Sequence, residues 1–600
     1  MDEFDDFPAK DSRRDRERGA AMITVMGVGL VLAMLMSLLV VTTVNGMKQA
    51  RADANWNAAL AAAYAGVDDY QSRLSADTSY YRFGNPASSF SATSTVTLPS
   101  ETNKAFGVGT TGTWANVSGS TERAQFRYEV DNSKYATTGR IRVRATGRVG
   151  DATRTVTADL KQQGFIDYLY FTDYEAQDPS VAGTSNTSCF TDSTKTTLKY
   201  SWAGRTVGST CNEISFGAAD DLQGPVHSND TIRACGSRFE GTVTTADSRS
   251  PYYSARNSSG SSCTGPTFEL AGYPSYSGGV VGMPATNSEL KKETRTDLVA
   301  TEVPRPGCLY TGPTQFTFYA NGTVNIKSPF TKKTRIGNAN STTGTSPAEC
   351  GTISALQSSA GATITVPENN VMYVQNVPSV TSDVNYWSSS TNPTNFTCTT
   401  ASSTSAGKPG WSFGTGTNKI AFPSSTEKPP TTTTYGCRAG DVFVSGEFNG
   451  AATLAAENYV FVTGDITYVN DQEDILGLVG NNAVWVYNPL TSSGNALLAK
   501  NRTIEAAILS VAHTFQVQNY DAGSSRGTLT VLGAIAQKYR GTVATTSGGS
   551  IATGYAKDYR YDDRFKFYAP PKFLNPVTTT YGVTSWVESK AVFAADGSAS

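Results

Sequence analysis

The chain has 600 residues, a formal net charge of −2 and 17% charged residues, which excludes a broad basic face for nucleic acid and an acidic tail. Ser, Thr and Gly dominate, with 29 Tyr and 26 Phe, a composition of β-rich, turn-rich surface proteins rather than helical cytosolic enzymes. The length exceeds one ordinary domain.

Residues 1–19 are highly charged, with Lys10, Arg13, Arg14, Arg16 and Arg18 ahead of an apolar run. No charge occurs from Ala20 to Val44. As a helix this run is about 37 Å long at ~1.5 Å per residue, enough to cross a hydrocarbon core of ~30 Å. It is too long for a cleavable secretory signal, and Asn45-Gly46-Met47-Lys48 is a poor cleavage site. Basic residues precede the run, and only Lys48 and Arg51 follow closely. The N-terminus is therefore expected in the cytoplasm and everything after Val44 outside. Trp56, Leu60, Ala63, Tyr64, Val67, Tyr70 and Leu74 then recur at three- and four-residue steps without a proline. The expectation is one continuous helix over 20–75, with its transmembrane half at 20–44.

Residues 76–165 read as a small antiparallel module. Phe126, Tyr128 and Val130 alternate with polar residues, as do Ile141, Val143 and Ala145, and Val156, Ala158 and Leu160. Gly150-Asp151 turns the last two strands into a hairpin. The Arg-rich face of 140–144 is expected to be solvated.

The basic leader, Arg18-Gly19, Ala20-Ala21-Met22, the apolar run and its amphipathic extension together resemble the type IV prepilin-like N-terminus, most closely the PilX-type domain of minor pilins. In that family a prepilin peptidase cuts after the glycine, which here implies processing between Gly19 and Ala20. It also implies storage in the membrane and packing against other pilins through Ala20, Met22, Ile23, Thr24, Leu30, Leu35 and Leu39. Major pilins usually carry a glutamate where Thr24 stands, so the resemblance points to a subunit placed once, at an end. The partners implied are other pilins, the type IV pilus assembly machinery and the peptidase. GPVHSND at 224–230, the segment at 477–482 and Gly554 to Asp562 resemble long, actinobacterial PilX-type proteins.

Eight cysteines lie between 189 and 437, none in a CxxC pair: Cys189, Cys211, Cys235, Cys263, Cys308, Cys350, Cys398 and Cys437. Beyond a membrane segment this reads as extracytoplasmic disulfides, with buried free thiols as the alternative. Loop closure favours pairing in sequence order. They define a disulfide-stabilised β domain at 166–440, with Ser/Thr-rich loops over 331–435.

A loose repeat runs through the C-terminal part, 441–600. Leu454 to Val462, Leu478 to Val486 and Ile508 to Val517 share an outline of aliphatic residue, small or polar residues, then an apolar strand. Leu529 to Ile535 adds another. Short strands at such intervals read as a parallel β-helix or solenoid, with a β-sandwich pair as the alternative. The fold class expected is α+β, mainly β.

Chemistry is sparse. Only His227 and His513 exist; His513 is expected as a hydrogen-bonded residue of an apolar strand. Asp220 and Asp221 are the carboxylates that a carbohydrate-active β-helix would need. Asp471, Glu473 and Asp474 offer oxygen ligands for calcium, without the spacing of an EF-hand loop. Tyr555, Tyr559, Tyr561 and Phe565, with Lys557, Arg560 and Arg564, form an aromatic–basic strip that packs a solenoid end or meets a glycan or protein ligand. No cofactor and no nucleic acid are expected. The function expected is a non-enzymatic minor pilin or pseudopilin that displays a large domain for assembly priming, adhesion or secretion. The alternatives are a membrane-anchored adhesin without a filament and a tethered carbohydrate-active enzyme.

Overall fold

The computed structural model describes residues 13–599 apart from 121–122, 136–138, 163, 207, 301, 400–409, 429–434, 548–549 and 578–580. The first twelve leader residues thus lie outside the described residues. Two compact units divide the chain: Met1–Tyr135, Arg140–Lys161 and Tyr581–Ser600 form one, and Gln162–Thr580 with Ala136–Gly139 the other.

The first unit is built on α1 (Arg13–Ala76), an unbroken helix of 64 residues, about 96 Å long at ~1.5 Å per residue. Its second half buries Ala59, Ala63, Val67, Tyr70 and Leu74, the three- and four-residue spacing that puts them on one face. They pack on Phe126, Tyr128, Ile141, Val143, Ala145 and Val156. These belong to β2 (Ala124–Asp131), β3 (Arg140–Val149) and β4 (Ala152–Gln162), which with β1 (Ala115–Asn116) before them pair antiparallel in chain order. Helix and sheet touch closely at Gly147. A Cβ there would stand 2.2 Å from the Ala59 carbonyl oxygen and 2.3 Å from the Ala63 nitrogen.

The sheet has a fifth member. Tyr581–Ser589 lies beside β4, so the first unit is completed from the far end of the chain. The sequence reading ended this module at residue 165 and placed 581–600 with the C-terminal part.

The opposite sheet face, expected to be solvated, is partly so, and its arginines are also paired with carboxylates. Arg142 meets Asp159 at 2.9 Å, Arg144 meets Glu129 at 2.6 Å, and Arg140 also pairs with Asp159. Arg127 stacks over Phe593 and donates to the Gly597 carbonyl at 3.0 Å. The tail after the last strand covers Arg127, leaving it only 4% exposed, whereas the Arg142 side chain stays half exposed, as expected of a solvated face.

The second unit is dominated by parallel pairing. In spatial order, Cys308–Thr311, Asn370–Gln375, Ala451–Ala456, Ile475–Gly480, Arg502–Ser510 and Ser525–Tyr539 pair successively. The run continues through Tyr170–Tyr174, Val226–Ser228, Val243–Thr245 and Ser275–Tyr276. A second run links Thr314–Tyr319, Val442–Phe448, Tyr459–Tyr468, Ala483–Val486 and Phe515–Val517. A third leads from Ser525–Tyr539 to Ser550–Tyr561, Asp221–Gln223, Arg238–Phe239 and Thr267–Phe268. Antiparallel pairing enters where Thr323–Lys327 joins Thr314–Tyr319 and Ala362–Thr365.

The repeat seen in the sequence corresponds to this register. Leu454 faces Leu478, Leu478 faces Ile508, and Ile508 faces Ile535. Side chains stacked this way share one buried cluster, and their neighbours, Ala455, Val479, Leu509 and Ala536, join another on the opposite face. The chain enters in mid-stack at Tyr170, proceeds to Tyr276, and restarts at the other end with Cys308. Between them Asn287 donates to the Ala456 carbonyl at 2.7 Å, and Leu290 packs into the outer cluster.

All eight cysteines are joined in sequence order: Cys189–Cys211, Cys235–Cys263, Cys308–Cys350 and Cys398–Cys437. The stretch read as loops over 331–435 contains the fully buried strand Asn370–Gln375 and a three-stranded antiparallel sheet, Phe396–Thr399, Gly410–Phe413 and Ile420–Phe422. Aromatic stacking of Trp411, Phe422 and Phe443 holds that sheet to the unit's core, a contribution that Ser/Thr content conceals.

Candidate functional site

From Met22 to Val44, α1 leaves a continuous run of large apolar side chains exposed. Met22 is 61% exposed, Ile23 74%, Leu30 58%, Leu35 51% and Leu39 65%; Thr24 lies among them, also exposed. Soluble proteins rarely leave such a surface uncovered. Ser37 and Thr43 donate their hydroxyls to carbonyls four residues back, at 2.8 and 2.7 Å. Those polar groups are thereby satisfied inside the helix, as an apolar surrounding requires. The helix is long and apolar enough to cross a membrane. Gly19 and Ala20 fall inside α1, and their surroundings lie outside the described contacts.

The histidines and carboxylates lie elsewhere, and each already has protein partners. His227 is fully buried on Val226–Ser228, between Thr244 Oγ1 at 2.8 Å and Asn229 Oδ1 at 3.1 Å. Burial pushes its pKa down to about 4. Asn229 binds Asp173 and both backbone groups of Val281. Asp230 accepts from the Glu175 and Ser201 nitrogens and meets Arg205 at 2.6 Å. Arg205 also pairs with Glu213 at 3.1 Å, and Glu213 with Arg233, all within the interior. The GPVHSND motif is thus the hub of a buried polar network that fixes loops on the strand stack. It presents no nucleophile–base pair to solvent.

His513 departs from the strand position expected. It occupies the corner after Arg502–Ser510, its side chain 28% exposed, with Nδ1 2.5 Å from Asp178 Oδ2. The corner ends the apolar alternation, so the ring reaches a carboxylate rather than the core.

Asp220 and Asp221 are each paired with a cation. Asp220 accepts from Lys557 Nζ at 2.9 Å and the Gly217 nitrogen at 2.9 Å. Burial works against its charge, yet Lys557 and Arg540 outweigh it and hold the carboxyl below its usual range. Such a group is a poor general acid near neutral pH. Asp221 begins the next strand and lies 3.5 Å from Arg238. The aromatic–basic strip also divides: Tyr555 and Tyr559 are buried, Lys557 meets Asp220, and Arg560 and Arg564 pair with Asp558 and Asp562.

The calcium candidates are engaged by their own turn. Asp474 accepts from the nitrogens of Gly450, Val469 and Asn470 at 2.7–3.0 Å. Glu473 accepts from Asn470, and Asp471 from Gln472. Among the described residues no three His, Cys, Asp or Glu side chains converge on a point suited to a metal.

Sequence reading missed the residues contributed by Tyr581–Ser589. Trp586 meets Tyr64 of α1 edge-on, with centroids 4.9 Å apart, and Glu588 accepts from Arg154 at 2.7 Å. The apolar alternation of Tyr581 and Val583 was the available signal.

No known family profile matches the chain, and no match is found among curated protein sequences. The crystal structure of the competence-associated pilin ComZ from Thermus thermophilus is similar at 11% sequence identity with a TM-score of 0.23, over 89% of this chain and 97% of that one. A likeness at that level carries neither fold nor function.

Proposed function

We propose that the chain is a non-enzymatic, minor pilin-like or pseudopilin-like subunit whose larger unit is a parallel β-helix displayed outside the cytoplasmic membrane. The observation that carries this reading is the division of α1. One continuous helix is uncharged and uncovered from Ala21 to Val44, and over its second half packs on a small antiparallel sheet. A soluble domain gains nothing from the first half. A subunit stored in lipid and then packed helix-to-helix uses it twice, exchanging lipid contacts for protein contacts of similar energy.

The β-helix reading is supported by successive parallel registers on three faces and by the Leu454–Leu478–Ile508–Ile535 stack. The non-enzymatic reading is supported by the internal partners of His227, His513 and Asp220. Other pilins, the assembly machinery and a prepilin peptidase are the partners, with the N-terminus inside and the large unit outside. Thr24 suits a subunit used at an end, in assembly priming, adhesion or secretion.

The test is the intact mass and N-terminal sequence of protein from its native membrane. A chain beginning at Ala20, restored to full length when the peptidase is deleted, supports the pilin reading. An unprocessed N-terminus in both backgrounds would leave an anchored surface adhesin.

A further inference from the structure

Where α1 leaves its apolar segment, the first unit carries a cleft of about 760 Å³ between the helix, the start of β4 and the end of the last strand. Lys48, Arg51 and Trp56 line it from the helix, Arg154 from β4, and Glu588 and Lys590 from the C-terminal segment. Lys48, Ala52 and Trp56 at four-residue steps, with Arg51 and Asn55 four apart beside them, bring the helical members to one side of α1. We propose that this cleft binds the phosphate of an anionic phospholipid headgroup in the outer leaflet. The proposal rests on the membrane-spanning reading of α1 and adds a ligand to it.

Position is the first argument. Lys48 and Arg51 lie about 6 and 10 Å beyond Val44 at ~1.5 Å per residue. A headgroup layer extends roughly 5–8 Å beyond the hydrocarbon core, so both side chains reach phosphate depth, their stems lying along the apolar boundary.

Charge is the second. Four cations line the cleft against two carboxylates, Asp151 and Glu588. Arg154 is already held by Glu588 and lies 5.0 Å over the Trp56 ring. Lys48, Arg51 and Lys590 are exposed at the mouth, and no ion pair to them is formed among the described residues. The cleft therefore presents net positive charge where a bilayer presents phosphate.

The third argument is the aromatic rim. Trp56 is 50% exposed and Trp586 43%. Indole rings with one apolar face and one polar edge are enriched at headgroup level. A second subunit packed here would have to cover Lys48, Arg51 and Lys590, whereas an anionic headgroup neutralises them.

The test uses the full chain in nanodiscs of phosphatidylcholine mixed with phosphatidylglycerol, with retained lipids counted by native mass spectrometry. The expected result is enrichment of phosphatidylglycerol over its share of the disc, lost in Lys48→Gln/Arg51→Gln/Lys590→Gln. Lys590→Gln alone should lower it about fivefold, the effect of one juxtamembrane cation. Retention at the bulk ratio in the parent chain, or enrichment unchanged in the triple variant, overturns the proposal. So does displacement of the lipid by excess glycerol phosphate, which would make the site one for soluble phosphates. A triple variant that alters self-association but not lipid retention would make the cleft a subunit contact instead. Flotation with pure phosphatidylcholine vesicles separates the two levels. A chain that fails to float sinks the membrane reading itself, whereas one that floats without enrichment sinks only the headgroup site.

Discussion

Asp441 keeps a carboxyl group where solvent does not reach. It is fully buried, accepts from Asn458 at 2.5 Å and the Tyr459 nitrogen at 3.1 Å, and its second oxygen has no hydrogen-bond partner among the described residues. Burial raises its pKa to about 7. An unfolded Asp releases its proton near the ordinary value of 3.8, so between about pH 4 and 7 the native chain holds a proton the unfolded chain has lost. Rising pH therefore weakens the native state across that window, by an amount on the order of a few kcal/mol. His227 acts in the opposite sense. Its pKa falls from 6.5 to about 4, the unfolded chain binds the extra proton, and stability rises with pH between those values. Two variants separate the effects. Asp441→Asn should flatten the loss of urea resistance from about pH 5 to 7, and His227→Gln should steepen it. Parallel pH profiles for the parent and Asp441→Asn would show that burial of Asp441 does not control its proton.

Among the elements, the strand Cys308–Thr311 stands at the end of the parallel run and has one partner in it, Asn370–Gln375. Cys308 ties it to Cys350 across a sequence separation of 42, and both half-cystines are buried. Loop-closure entropy assigns that bond about 4 kcal/mol. Cys308→Ala/Cys350→Ala should lower the unfolding free energy by roughly that amount in a non-reducing urea titration. An unchanged midpoint would mean that strand pairing alone holds the end. The elements also differ in how far they could be read ahead of the structure. Helix α1 and the β3–β4 hairpin were legible because their partners are local: Tyr70 and Leu74 repeat a helical spacing, and Gly150 takes the left-handed φ of +59° at the turn. The stack of Leu454, Leu478 and Ile508 was legible as a repeat, since the same outline recurs on strands that pair in parallel register. Tyr581–Ser589 was not, because β4 lies across the whole inserted unit in sequence. Nor was the network around Asp230, whose partners Glu175, Arg205 and Glu213 are scattered and polar. No periodicity announces them. His513 misled because apolar residues on both sides suggested a strand where the chain turns.

For the whole molecule, the decisive feature is that the first unit is interrupted at a hairpin. Arg154 of β4 reaches Glu588, and Ser585 donates to Asp159 at 2.9 Å. Successive contacts thus advance along β4 and retreat along the last strand, so the two run in opposite directions. Position 162 and Tyr581 consequently lie at the same end. Tyr581 is seated independently of the insert: its backbone carbonyl accepts from Gln71 at 2.5 Å, and its hydroxyl lies 3.3 Å from that of Tyr135. A two-residue turn can close such a pair of strands. Replacing 163–580 by Asn-Gly should therefore leave a helix-on-sheet unit that folds alone in detergent micelles. Its midpoint should fall within about 8 °C of the corresponding transition in the full chain, equivalent to ~1 kcal/mol for a small domain. Circular dichroism melting is the measurement. Loss of cooperative melting would mean that the large unit holds the sheet together, and the first unit could no longer be regarded as a scaffold into which the larger unit has been inserted. Retained cooperativity would make the two units separable parts of one chain, so that changes to the larger unit leave the helix and its sheet intact.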